Sequence, residues 1–262
     1  ADLLLGRYED AKNRFEEILA QNNKVIAAYD ELARTYLKSG QPEEAQQVLM
    51  KAAAISPRAL LRHKILGGLA YRNEDYTTAE TSFRAAVVHG KHSCFKTTSD
   101  YTQLAKSMVM RDALQESLQV LGQASREFPE SPDTRLHLSA AESLVYTKMN
   151  KPAEAKRALA QAHKYAQDLA GDLPSAVALD LAQAHLLAGD VEKGTDIIRG
   201  VIGANHDNDD VLNTIRIVFK ETGMPEKGEK IIKDTTEDIM RLNNEGVDLA
   251  RRGKLAEAID YF

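Results

Sequence analysis

The sequence predicts an all-α fold: a solenoid of stacked helix-turn-helix repeats. Three observations carry that prediction. Small residues recur at a fixed 34-residue offset, at Ala11, Ala45 and Ala79, each followed four positions later by a large apolar residue, Phe15, Leu49 and Phe83. Five positions before each small residue stands a turn position, Gly6, Gly40 and Glu74, where one helix must end before the next begins. The stretches between are amphipathic and about 14 residues long, some 20 Å of helix each, too short to be stable unless they pair.

The elements follow in order as eight repeats, the first and last incomplete, in a single array over residues 1–262. Repeat one, 1–23, carries Gly6, Tyr8, Ala11 and Phe15. Repeat two, 24–57, carries Tyr29, Leu32, Ala33 and Tyr36 before Gly40, then Ala45, Leu49 and Ala52, and closes on Pro57, which cannot continue a helix. Alanines at 45 and 52 let two helix backbones approach closely while Leu49 fills the space beside them. Repeat three, 58–98, has His63, Leu66, Gly67 and Ala70, then Glu74, Tyr76, Ala79, Phe83 and Ala86. It ends in HGKHSCFKTTSDY, where Gly90 marks a helix end and Thr97 to Asp100 an N-cap for a helix over 101–111.

Beyond this loop the period continues with insertions. Repeats four (99–131), five (132–170), six (171–207), seven (208–236) and eight (237–262) place their small residue at Ser117, Ala155, Gly194, Gly228 and Ala258. The spacings are 38, 38, 39, 34 and 30, and the turn positions are Asp112, Asn150, Gly189, Gly223 and Gly253. Gly171 and Pro174 punctuate a lengthened second helix before repeat six. The chain starts at Ala1 and breaks off at Phe262 inside a helix, so both end repeats lack the polar cap of a finished solenoid, and we expect self-association through an end.

The run Tyr29-x-x-Leu32-Ala33-x-x-Tyr36, Ala45-x-x-x-Leu49, Pro57 resembles the tetratricopeptide repeat, as does Leu66-Gly67 with Ala79-x-x-x-Phe83. The sequence departs from that pattern in having no tryptophan and in placing Ser117 and Gly194 where alanine is usual. The resemblance implies a right-handed superhelix whose first helices line a concave face, a non-catalytic scaffold, and a protein or peptide partner. More narrowly, the segment HGKHSCFKTTSDYTQLAK and the closing LNNEGVDLARRGKLAEAIDYF resemble the C-terminal repeat region of bacterial response regulators that join a receiver domain to such repeats. That likeness implies the output or regulatory arm of a two-component system. Asp30 and Arg34 stand where the chaperone-tail clamp of this family would have Lys and Asn, which argues against chaperone-tail binding.

Composition narrows the function further. No apolar run approaches the roughly 18 residues of a membrane span, and a single cysteine, Cys94, excludes an internal disulfide framework and suits a reducing compartment, so cytoplasm is the expected location. No phosphate loop, nucleophile elbow, H-E-x-x-H or paired C-x-x-C is present, and the repeat pattern uses nearly every residue, so we expect no catalysis and no cofactor. His89, His92 and Cys94 offer three zinc-type ligands without an obvious fourth, and a polar loop is the better reading. An ordinary exposed thiol is likewise the better reading of Cys94, and His137, His163 and His185 are expected to pack on helix faces.

Charge is unevenly spread. Residues 58–111 hold nine lysines and arginines against four acids, a net of +5, while the whole chain is at −5, so the remainder carries −10. With first helices lining a concave face, Arg34, Lys38, Lys64, Arg72 and Lys106 would point into the groove beside Tyr71 and receive an acidic partner segment. A merely solvated surface is the plain alternative. A nucleic-acid-binding module using 58–111 is the competing function, disfavoured by the overall pI of about 5.9, and we expect no nucleic acid as partner.

Overall fold

The computed structural model describes residues 6–169 and 173–259. It is all-α, with fourteen helices and no strand among the described residues. Gly171 and Phe262, both used in the sequence reading, lie outside the described residues. The chain divides between Pro129 and Glu130 into two compact units.

The first unit holds α1 (Tyr8–Gln21), α2 (Ile26–Lys38), α3 (Pro42–Ile55), α4 (Leu60–Arg72), α5 (Tyr76–His89), α6 (Thr98–Met110) and α7 (Leu114–Glu127). The second holds α8 (Pro132–Lys148), α9 (Pro152–Gln167), α10 (Ser175–Leu187), α11 (Val191–Asn205), α12 (Asp209–Glu221), α13 (Pro225–Arg251) and α14 (Leu255–Ile259). Within each unit every helix packs on the next in sequence, as stacked helix pairs require, and α4 also meets α6, α8 meets α10, and α11 meets α13.

The turn residue read from the spacing has the same backbone conformation in every repeat. Gly6, Gly40, Gly189, Gly223 and Gly253 have φ between 71° and 85°, and the only described non-glycine residues at positive φ are Glu74, Asp112 and Asn150, the other three turn positions. From Gly40 onward each follows a first helix in the left-handed conformation, so the chain reverses in a short turn. Proline then opens α3, α8, α9 and α13, where the missing N–H costs nothing.

The small residues sit where the helices cross. Ala45, Ala79 and Ser117 are fully buried, and Ala11, Ala155 and Ala258 nearly so. A methyl group on Gly228 would come 2.7 Å from Phe219 Cβ, and one on Gly194 2.8 Å from Leu186 Cγ, so these glycines answer the same need for close approach. Ser117 adds a hydrogen bond, its Oγ donating to the Ala105 carbonyl at 3.0 Å, and so satisfies its hydroxyl in the slot that alanine fills elsewhere. The core beside these crossings is built from Leu32, Leu49 and Leu66 in the first unit, and from Ile198, Ile202, Ile215 and Phe219 in the second.

The irregular spacings have separate causes. The first 38 comes from the loop 90–97 between α5 and α6. The second comes from α8, which at 17 residues is one turn longer than the 13-residue first helices of the other repeats. The 39 combines a 16-residue α9 with a longer connector to α10. The 30 has the opposite origin. No loop separates the second helix of repeat seven from the first helix of repeat eight, and the boundary expected between 236 and 237 falls inside α13, a single 27-residue helix about 40 Å long.

Candidate partner-binding face

The predicted site residues all belong to the first helices of the first unit, α2, α4 and α6. Counted back from the turn residue, Lys64 stands at the tenth position, Arg34 and Lys106 at the sixth, and Lys38 and Arg72 at the second. Those positions are four apart and share one helix face. The register therefore brings them onto equivalent stripes, but their environments differ.

Arg34 and Lys38 are exposed, Arg34 with an ion pair to Glu31 on its own helix at 3.0 Å. Arg72 is half-buried. Tyr71 is buried, its ring edge-on to Tyr76 with centroids 5.4 Å apart, so it belongs to the α4–α5 packing. Lys64 is committed to the framework: its Nζ lies 2.9 Å from Asp100 Oδ1 and donates to the Phe95 carbonyl at 2.6 Å. Lys106 is buried within α6 and does not offer its charge to a groove.

Other cations of the basic stretch are neutralised in the same way. Arg62 grips Asp30 through two hydrogen bonds of 2.9 and 3.1 Å, tying α4 to α2. Arg84 and Arg111 both pair with Glu80, and together they outweigh the burial that would otherwise raise its pKa, leaving it lowered. Lys96 pairs with Glu127 at 2.9 Å and lies 5.0 Å above the Phe128 ring. Glu127 also accepts from the Tyr101 hydroxyl at 2.6 Å and from Gln123. These donors, Tyr101 foremost, hold its carboxyl down to about 2.

The sequence reading missed two residues of this face. Leu61 and Ile65 on α4 are more than half exposed, and they share the helix face of Lys64 and Gly68. Gly68, between them and Arg72, has open space where a side chain would stand, so the face is notched at its centre. α4 is thus apolar on two sides: Leu66, Leu69 and Ala70 are buried, while Leu61 and Ile65 remain uncovered. α2, tied to α4 through Asp30 and Arg62, carries exposed Arg34 and Lys38 at the register positions of Gly68 and Arg72, so apolar strip and cations together suit an amphipathic segment carrying acidic residues.

His89 ends α5, and His92 and Cys94 lie in the loop after it. Among the described residues no group of three His, Cys, Asp or Glu side chains is placed to hold one, and His89 stacks on His63 with centroids 6.1 Å apart. Cys94 is exposed. His185 is buried, with its Nδ1 3.1 Å from Asp190, and burial lowers its pKa. No described helix is long and apolar enough to cross a membrane.

The comparisons agree with this architecture. A family model of the tetratricopeptide repeat matches residues 3–64. A solved tetratricopeptide repeat protein from Parabacteroides merdae is 15% identical over 83% of this chain and 80% of its own, with a TM-score of 0.53. A solved double mutant of MamA from RS-1 is 14% identical over 65% of this chain and 92% of its own, with a TM-score of 0.50. No curated protein matches the sequence. The fold is that of tetratricopeptide repeats, the class of helix-pair solenoid in which the chain's own register places it.

Proposed function

We propose that this protein is a non-catalytic interaction scaffold, one repeat array that binds a protein segment on the α2–α4 face of its first unit. The observation that carries this reading is the exposed pair Leu61 and Ile65, set beside the notch at Gly68, with the exposed cations Arg34 and Lys38 on α2 in the register of Gly68 and Arg72. Adjacent uncovered aliphatic side chains rimmed by polar residues are the kind of surface that interaction sites use. The charges favour an acidic partner and speed its encounter, while the apolar strip supplies most of the affinity.

Nucleic acid fits this face poorly. Lys64, Arg62, Lys96, Arg84 and Arg111 are all paired with carboxylates, so few cations are left to track phosphates. The narrower reading, the output arm of a cytoplasmic receiver-bearing regulator, rests on the likeness of residues 89–106 and 242–262 alone. It predicts that the partner is a component of a signalling pathway.

A photoreactive side chain at Leu61 or Ile65, and a control at exposed Gln47 on α3, would be used to crosslink in a native lysate. We expect one protein to be trapped from positions 61 and 65 and not from 47. Trapping from 47 alone would move the site to the second helices, and a signalling component among the trapped proteins would support the regulator reading.

A further inference from the structure

The C-terminal half of α13 is a helix with one side covered. Between Ile232 and Arg251 only Gly246 is buried, and α14 packs back on α13. Elsewhere a loop folds the next first helix back onto its predecessor; here the helix runs straight on, and most of its surface stays uncovered. Asn244 lies about 200° around the helix from Gly246, on the opposite face. Along that face an open, shallow surface is lined by side chains of α13 alone.

The pattern along this face is a short seam. Glu237, Met240, Asn244, Val247 and Arg251 follow at steps of three, four, three and four, the spacing of helices that pair along their length. Met240 is 58% exposed and Val247 38%. The charges are arranged about Asn244 as a centre, with Glu237 seven residues before it and Arg251 seven after. Arg241 stands three before and Asp248 four after. Reversing the helix end for end about Asn244 thus brings Glu237 opposite Arg251, and sets Arg241 against Asp248 and Met240 against Val247 to within one residue of register.

We propose that this face is the site of an antiparallel, twofold homodimer in which α13 of one copy lies along α13 of another. A twofold interface requires a surface complementary to itself, and this stripe meets that condition in its charges and its apolar residues. Glu237 of each copy faces Arg251 of the other, Arg241 comes within one residue of Asp248, and the two Asn244 side chains meet at the axis, where a paired polar residue fixes the register. The present partners of these groups are on their own helix, Arg241 with Asp238 and Glu245, Lys233 with Glu237, and these i,i+3 and i,i+4 pairs exchange at little cost. With two apolar side chains from each copy, the association is weak and weakens with salt. It is independent of the α2–α4 face, so failure of either proposal leaves the other standing.

The test is sedimentation of the whole chain across a concentration and salt series, with Glu237→Lys, Arg251→Glu, and an equal mixture of the two. Both positions are on the exposed face, and unchanged helical circular dichroism checks that the variants fold. Each single variant places like charges opposite one another twice in its homodimer, and we expect the dissociation constant to rise on the order of tenfold or more. In the mixture every pair becomes opposite in sign: the introduced lysine faces the introduced glutamate, and the Glu237 kept by one variant faces the Arg251 kept by the other. Dimerisation then returns as a heterodimer. In a Cys94→Ser background, Asn244→Cys should oxidise to a disulfide dimer. A chain that stays monomeric at high concentration and low salt, as it would if another protein normally covered this face, overturns the proposal. So does a mixture that associates no better than its components.

Discussion

Lys64 Nζ lies 2.9 Å from Asp100 Oδ1, and the same carboxylate accepts the Thr97 backbone N–H through its other oxygen at 2.9 Å. One aspartate, almost fully buried, therefore closes the capping box of α6 and anchors α4 to it across the inserted loop. Removing it opens half of that box, leaving the Thr97 N–H without its acceptor although the Thr97 side chain still caps the N3 amide, and leaves a half-buried ammonium without its charge partner. Asp100→Ala should cost about 2–4 kcal/mol in urea unfolding, the sum of a lost cap bond and a lost buried partner. Lys64→Ala, which leaves the cap intact, should cost clearly less. Equal losses would mean that the cap contributes nothing.

Glu127 performs a similar service beside it, joining Lys96 at the end of the loop to Tyr101 on α6. Its carboxyl is held at about 2, below the ordinary glutamate value of 4.5. A carboxylate with a depressed folded pKa contributes fully above its unfolded value, and that contribution drains away as pH falls from about 4.5 towards 2. Glu127→Gln should therefore destabilise the first unit by about 1–3 kcal/mol at neutral pH and flatten its stability profile in that acid window. Thermal unfolding at neutral pH and at about pH 3, inside that window, measures both effects. A variant as acid-sensitive as the parent would assign the loss to other carboxylates.

The glycines separate two reasons for one residue type. Gly40 has φ of +73° and empty space around it, so Gly40→Ala meets only the backbone penalty, about 1 kcal/mol. Gly228 has no such backbone constraint, but a methyl there would collide with Phe219, which is fully buried. Gly228→Ala should cost more, about 1–3 kcal/mol, through overpacking. Gly228→Ala combined with Phe219→Leu should recover part of that loss, whereas no core substitution should rescue Gly40→Ala. Chemical unfolding of these variants checks the ranking.

Periodicity made the architecture readable, because the crossing and the turn impose a residue type at a fixed place in every repeat. Gly6 through Gly253 could be aligned by spacing alone, and Glu74 was placed among them although its side chain gives no hint of a left-handed turn. The Thr97–Asp100 cap was equally local. The absence of a break in α13 was less visible, because a spacing of 30 gives only a length and not the missing loop. The site was harder still. Lys64 and Asp100 are 36 residues apart, and nothing local marks that pair. Lys106 repeats the register of Arg34, yet it is buried where Arg34 is exposed. Leu61 and Ile65 did leave a signal: they are apolar residues on the face of α4 opposite buried His63 and Ala70, and a helix with apolar residues on both sides needs a second partner.

That second partner gives the sharpest separation of stability from function. Leu61 and Ile65 are 54% and 56% exposed, so aspartate at either position removes little packing and should change stability by no more than about 0.5 kcal/mol. Leu69, four residues on from Ile65, is 1% exposed, and Leu69→Ala should cost about 2–5 kcal/mol. If the α2–α4 face binds a partner, Leu61→Asp and Ile65→Asp should lose it from a fully folded chain. Arg34→Glu with Lys38→Glu should instead slow association and remove most of its salt dependence. Unfolding curves and binding kinetics on the same preparations read both quantities. Loss of binding only in variants that also lose stability would show that the uncovered leucine and isoleucine serve no partner.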